Sequence, residues 1–501
     1  MNRAAIWITL VVSSSLTLGA CCFGGKDTKT TTSGEAAPAE ATASEWPAMP
    51  TPGPAPSFSV PEATRFELDN GIPVTLVTMG SVPLVELQLN IYTGSAADPV
   101  GKEGLAAVTA DMLNEGAGEW DGLAIERELQ TLASDVSLGA GMDASVVRVN
   151  SLEDNLEPTL AIVKAMLAEP TFSNDDLERV VEDRTRALVA AKDDLGTVAF
   201  RSFYRVLWGT DYLGRPGVGT ADSLGSIARK DVTGFHKNVW TPSNAGLVVV
   251  SRLTQDQIEP LLEKTLGTWT GDSKAKVPAV AVEAPPRQEG VSVYWVDKPG
   301  QSQSYIIVGN QAEPYDAVRD ELLDLGNHPL GGNFTARINM NLREDKGYTY
   351  GARSWFDPDR HGGTFAASAS VKADTTAASI TEFLSEIRGA LGDRPITAEE
   401  HARSVGSLVQ AEPGSYERMS STLGRYARAD QLGAPTDSLT GRSKRLQAIT
   451  LEQAQSAFAE VVSGDDLVIL VVGDRAVAGP AVEELGLGPI IALDDEGNRV
   501  E

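Results

Sequence analysis

Arg343 and Tyr350 stand seven positions apart in the run GGNFTARINMNLREDKGYTY, residues 331–350. A guanidinium offers a planar fork of N–H donors and a phenol offers one O–H. Brought to one point, the two can hold a carbonyl or carboxylate oxygen and stabilise negative charge that builds on it. The same residues also fit a plainer reading, a helix-end arginine and a half-buried core tyrosine. A second place for chemistry is the run GLAAVTADMLNEG, residues 104–116, whose single acidic side chain before its end is Asp111. Asp111 alone suits a solvated or capping carboxylate better than a metal ligand.

The elements that position these residues follow from apolar spacing. Phe334, Ile338 and Leu342 recur every four residues and predict one helix face. Asn333 reads as its N-cap, Lys346-Gly347 as a basic last turn with a C′ glycine, and Tyr348-Thr349-Tyr350 as the strand that follows. In the other run, Leu105, Val108 and Met112 lie at helical spacing and Gly116 reads as the helix stop.

Metal chemistry finds little support in the chain itself. Its four histidines are His236, His328, His361 and His401, and no two are spaced i, i+4. The two cysteines, Cys21 and Cys22, are adjacent and near the start, so the body can build neither a thiolate site nor a disulfide framework. With 42 basic and 69 acidic residues the 501-residue chain has a formal charge of −27 and no basic cluster. That excludes nucleic-acid binding and electrostatic docking on anionic lipid.

An early Arg3 and an apolar run from Ala4 to Leu18 read as an export signal too short for a comfortable membrane span. Leu18-Gly19-Ala20-Cys21 resembles a bacterial lipobox, which makes Cys21 the expected lipidated residue. Residues 21–61 are rich in Thr, Ala, Pro and Ser, with few periodic apolar positions, and read as a disordered tether. Cys22 after Cys21 resembles lipoproteins sorted to the outer membrane, so the expected location is the bacterial cell envelope, facing the periplasm.

Residues 62–270 predict a strand pair around Asn70-Gly71, a strand at 85–91 with one buried face, and the 104–116 helix. A strand region at 137–149, long helices and a closing strand at 245–251 follow. After a Pro- and Ala-rich connector, 271–289, residues 290–485 repeat that order and close with DLVILVVG at 466–473. An acidic tail, 486–501, ends the chain. The expected fold is α+β, with two homologous α/β halves of antiparallel sheets packed against helices.

LGGNFTARINMNLREDKGYTYG resembles the second-half motif of the pitrilysin/insulinase-type zinc peptidases, and TPSN before a buried strand (241–244) also resembles that family. The resemblance spans roughly residues 62–490 and implies that the halves form a clamshell. It implies that Arg343 binds peptide substrate and that Tyr350 binds the scissile carbonyl. In the family, zinc sits on a His-x-x-Glu-His helix of the first half. The matching positions here are Ala107, Ala110 and Asp111, and the later glutamate ligand falls near Arg186-Ala187, where no carboxylate stands. The chain is thus expected to bind no cofactor of its own. Some family members divide the site between two polypeptides. The resemblance therefore implies a non-zinc subunit of a heteromeric peptidase, with zinc in a homologous partner, or alternatively an inactive peptide-binding or scaffold lipoprotein.

Overall fold

The computed structural model describes residue 53 and residues 58–500, apart from positions 211, 273, 281, 283, 284, 287, 288 and 436. The export signal, Cys21 and nearly all of the tether lie outside the described residues.

Two six-stranded sheets dominate the structure. The first half supplies β1 (Ala63–Glu67), β2 (Pro73–Thr78), β3 (Leu84–Ile91), a small hairpin of β4 (Gly116–Ala117) and β5 (Trp120–Asp121), then β6 (Asp135–Ala140), β7 (Ser145–Leu152) and β8 (Ala245–Ser251). The second supplies β9 (Ser292–Asp297), β10 (Gln303–Ala312), β11 (Thr349–Pro358), β12 (Gly363–Lys372), β13 (Val468–Gly473) and β14 (Ile490–Leu493). The strand orders are β1-β2-β8-β3-β7-β6 and β14-β9-β13-β10-β12-β11. Apart from the outermost strands β1 and β14, the second order repeats the first, position for position, so the internal repeat read from the sequence is a repeat of topology.

The sheets are mixed rather than wholly antiparallel. β2 runs parallel to β8, and β9 runs parallel to both β13 and β14. Each closing strand returns after a long helical crossover, the connection that parallel pairing requires. The tail beyond residue 486 is likewise not all tail, because β14 extends the second sheet and Val500 N–H donates back to Ala492.

Each half covers one face of its own sheet and lends a helix to the other. The first-half helix Leu195–Trp208 lays Val198, Ala199 and Phe203 on Ile307, Leu470 and Val472 of the second sheet. In return the second-half helix Met419–Gln431 lays Met419, Leu423 and Tyr426 on Val77, Val248 and Val250 of the first. Burial of each large aliphatic or Phe side chain among these is worth about 1.5–3 kcal/mol, so the exchange ties the halves into one folding unit. It also explains why β3 is buried on both faces rather than one. Its polar positions Gln88 and Asn90 lie under the borrowed helix, where Asn90 Nδ2 donates to Asp430 at 2.7 Å. The end of the expected tether packs on the same helix and on the turn before it. Phe58 packs on Tyr416 at 5.6 Å between ring centroids, Val60 is buried, and the Tyr426 hydroxyl donates to Pro61 O.

The β6–β7 and β11–β12 turns meet as well. Asp143 of the first accepts from Arg360 N–H of the second at 3.1 Å and from the Tyr212 hydroxyl at 2.8 Å. Burial and the neighbouring Asp143 carboxylate push the Asp359 carboxyl up to about 7.

Candidate functional site

The 331–350 corner is built differently from one regular helix. Gly331 passes so close to β11 that a Cβ there would lie 2.4 Å from Ser354 N, which only glycine permits. Asn333 does not cap a helix. Its Oδ1 accepts from Thr335 N–H at 2.8 Å and its Nδ2 donates to His328 O at 2.7 Å, closing a local turn. One α turn, Arg337–Asn339, leads into a widened stretch, Met340–Asp345, in which Lys346 N–H reaches Asn341 O at 3.0 Å, five residues back. Gly347 ends it at φ +64°, as expected of a C′ glycine.

Phe334 falls in the Asn333 turn, before the α turn begins, and so leaves the face it shares in sequence with Ile338 and Leu342. The two aliphatic residues are fully buried, whereas Phe334 is 61% exposed. The Arg343 guanidinium lies over its ring at 4.5 Å from the centroid. That cation–π contact fixes the planar cation at the surface instead of neutralising it. The carboxylate Arg343 approaches, Glu344, is a partly exposed neighbour at 3.5 Å.

Tyr350 lies in a β-bulge. Thr349 pairs with Val371 and Ala352 with Ala369, so one extra residue is inserted at Tyr350-Gly351. Thr349 Oγ1 stabilises the bulge by accepting from Gly351 N–H at 3.1 Å and donating to Ser370 O at 2.7 Å. A bulge re-aims a side chain out of the pleat. The Tyr350 ring is 91% exposed and its hydroxyl has no partner among the described residues. The alternative of a half-buried core tyrosine is overturned.

Asn339, which no sequence pattern singled out, holds the arginine loop to the tyrosine strand. It is 3% exposed, accepts from Ala352 N–H at 3.0 Å and donates to Phe334 O at 2.6 Å.

In the first half, the helix matching the family's metal helix is Leu105–Met112. It ends at Met112, and Gly116 opens β4 rather than stopping the helix. Its start is fixed by buried Asp98, which accepts from Gly104 and Ala106 N–H at 2.8 Å each. Ala107 and Ala110 are buried. Asp111 accepts from Arg184 Nε at 2.6 Å, and Arg184 Nη2 donates to Ala107 O at 3.0 Å. A guanidinium therefore bridges the positions that resemble ligands, and a dication beside it would be repelled. The nearby carboxylates do not help, since Glu182 and Asp183 pair with Arg186.

The four histidines do not converge. His236 bonds Leu167 O and burial pushes its pKa down to about 4. His328 bonds Ser404, and His361 lies edge-on to Tyr212. Among the described residues no group of three or more His, Cys, Asp or Glu side chains is placed to hold a metal ion. The residues present do not fit a zinc site. Neither Arg343 nor Tyr350 makes a hydrogen bond, ion pair or ring contact with the Ala107–Asp111 turn.

Residues 75–220 match the profile of insulinase (peptidase family M16), and residues 226–408 match that of the peptidase M16 inactive domain. An uncharacterized zinc protease YmxG of Bacillus subtilis is 21% identical over 410 residues, which cover 81% of this chain and 97% of that protein. A non-peptidase homolog YmxG of Helicobacter pylori is 20% identical over 411 residues, covering 81% and 92%. Among solved structures, a peptidase M16 inactive domain from Pseudomonas fluorescens superposes with a TM-score of 0.75 at 24% identity. That superposition covers 82% of this chain and 98% of the other.

Proposed function

The chain belongs to the insulinase (M16) peptidase family without carrying its zinc motif, and on that premise we propose that it is the non-zinc subunit of a heteromeric peptidase. The observation that carries the reading is Tyr350, an unpartnered phenol held out on a bulge of the strand that packs against the turn carrying the partly exposed Arg343. A protein that served only as scaffold gains nothing from exposing that side chain on so constrained a backbone. In this reading the Arg343 guanidinium grips a carbonyl or the carboxylate of a peptide substrate. The Tyr350 hydroxyl donates to the scissile carbonyl oxygen as charge develops on it. A homologous partner supplies the metal-activated water that this chain has no residues to support. The exposed Phe334 and the partly exposed Met340 beside the pair give the corner apolar area for packing against such a partner or its substrate.

The same proposal places the protein outside the cytoplasm, anchored by lipid on Cys21 in the cell envelope, with the outer membrane facing the periplasm as its site. The second reading is an inactive peptide-binding or scaffold lipoprotein. The internal Asp111–Arg184 pair favours it, because the pair stabilises the first half without a metal. It also has support in the H. pylori relative, which is named a non-peptidase homolog.

The test is Tyr350→Phe in the purified complex. Loss of the hydroxyl should lower kcat by about 100-fold or more while substrate affinity changes little. An unchanged kcat rejects the catalytic assignment and leaves the scaffold reading.

A further inference from the structure

A cavity of about 700 Å³ lies between the helices Asn174–Ala191 and Leu195–Trp208, the 213–220 loop and the turn at 494–498. It is well separated in sequence from Arg343 and Tyr350, neither of which lines it. Its size is that of a small-molecule site. Leu188 and Phe200 contribute apolar wall, and four arginines reach it against two glutamates, Glu103 and Glu496. In a chain of net charge −27 such a local reversal of sign is unexpected.

Three of the arginines are engaged. Arg184 bonds Asp111 and Ala107 O, and Arg215 pairs with Glu103 at 3.1 Å. Arg205 donates to Asn498 at 3.2 Å and to Gly209 O at 3.3 Å. The second glutamate, Glu496, lies 3.8 Å from Lys192. Arg201 is different. It is half-buried and has no hydrogen bond, ion pair or ring partner among the described residues. Thr197, Arg201 and Arg205 are spaced four apart on one helix, so they line up along the face that borders the cavity. The Arg201 guanidinium nitrogens are not sealed off from the cavity, so their donors are free to meet an acceptor that a ligand brings.

We propose that this cavity binds the carboxylate of a small ligand with an apolar body, and that Arg201 receives it. A peptide C-terminus and a fatty acid share that chemistry. The site is independent of the subunit role assigned to Arg343 and Tyr350, and either conclusion can fail without the other.

The experiment is calorimetric titration of the full chain with an N-acetylated apolar tripeptide acid, the same tripeptide as its C-terminal amide, and decanoate. The tripeptide acid should bind at least about 10-fold more tightly than the amide. Arg201→Gln should remove that preference by weakening the acid alone, with the melting temperature unchanged because Arg201 holds nothing else. Tripeptide binding assigns the site to peptide ends, and Arg201-dependent binding of decanoate alone assigns it to fatty acids. Equal binding of acid and amide without Arg201-dependent decanoate binding, no binding of either carboxylate at millimolar concentration, or an Arg201→Gln chain that binds as tightly as the parent would overturn the proposal.

Discussion

Replacing Asn339 with alanine should loosen the corner that carries Arg343 and Tyr350. Two bonds are at stake, from Ala352 N–H at 3.0 Å and to Phe334 O at 2.6 Å, on a side chain that is almost wholly buried. Ala352 is itself buried, so its N–H would be left without water or partner, a penalty of about 1–3 kcal/mol. The bond to Phe334 O lies nearer solvent and contributes about 0.5–1.5 kcal/mol net. Together they predict a loss of roughly 2–4 kcal/mol. Urea denaturation measures the global part. Hydrogen exchange at the Ala352 amide measures the local part and should lose most of its protection. Asn339→Leu separates polarity from volume. It fills the space and should cost as much as alanine, whereas a pure cavity effect would be largely repaired by it. A stability change below about 0.5 kcal/mol, with Ala352 protected as in the parent, would refute the assignment of Asn339 as the tie.

Two further predictions concern stability. Gly331→Ala puts a methyl group against Ser354 N at 2.4 Å, a backbone atom that cannot step aside, and should cost about 1–3 kcal/mol by denaturant midpoint. Asp359 has its folded pKa raised above the unfolded 3.8 to about 7, so the folded state binds the extra proton between those values. Its contribution is therefore fully present below about pH 4 and is lost as pH rises towards 7. The shift sets a ceiling of about 4 kcal/mol, and roughly 2 kcal/mol is expected after screening. Asp359→Asn should flatten the pH dependence of melting between pH 4 and 8, and an unaltered slope would show that the turn-to-turn contact does not titrate.

Much of the fold was legible in the sequence because its signals are local. Alternation in β3, the β-branched runs of β8 and β13, and the glycine at 347 each declared an element, and their recurrence declared two halves. The placement of Arg343 at a helix end and Tyr350 on the next strand also follows from local pattern. What the sequence concealed is long-range. No periodicity distinguishes a helix that covers its own sheet from one that covers its neighbour's, so the exchange of Leu195–Trp208 for Met419–Gln431 went unseen, and with it the burial of Gln88 and Asn90. The exposure of Phe334 was hidden because it lies in the turn that precedes the α turn at Arg337, so the helical spacing to Ile338 from which its burial was inferred does not apply. Arg184 was hidden for a third reason. Its partner Asp111 lies on another helix, and a charged residue in an amphipathic pattern reads as surface until the packing is known.

On the proposed function, the Arg343–Tyr350 corner works with a zinc site on another chain. The most direct measurement is isolation of the tagged protein from its native envelope, with zinc content and peptidase activity assayed on the eluate and on the chain produced alone. The expected result is a co-purifying homologue that brings zinc and activity, and a lone chain with neither. A lone chain that binds zinc and cleaves peptides, or a native preparation that contains no homologue and is inactive, would contradict it.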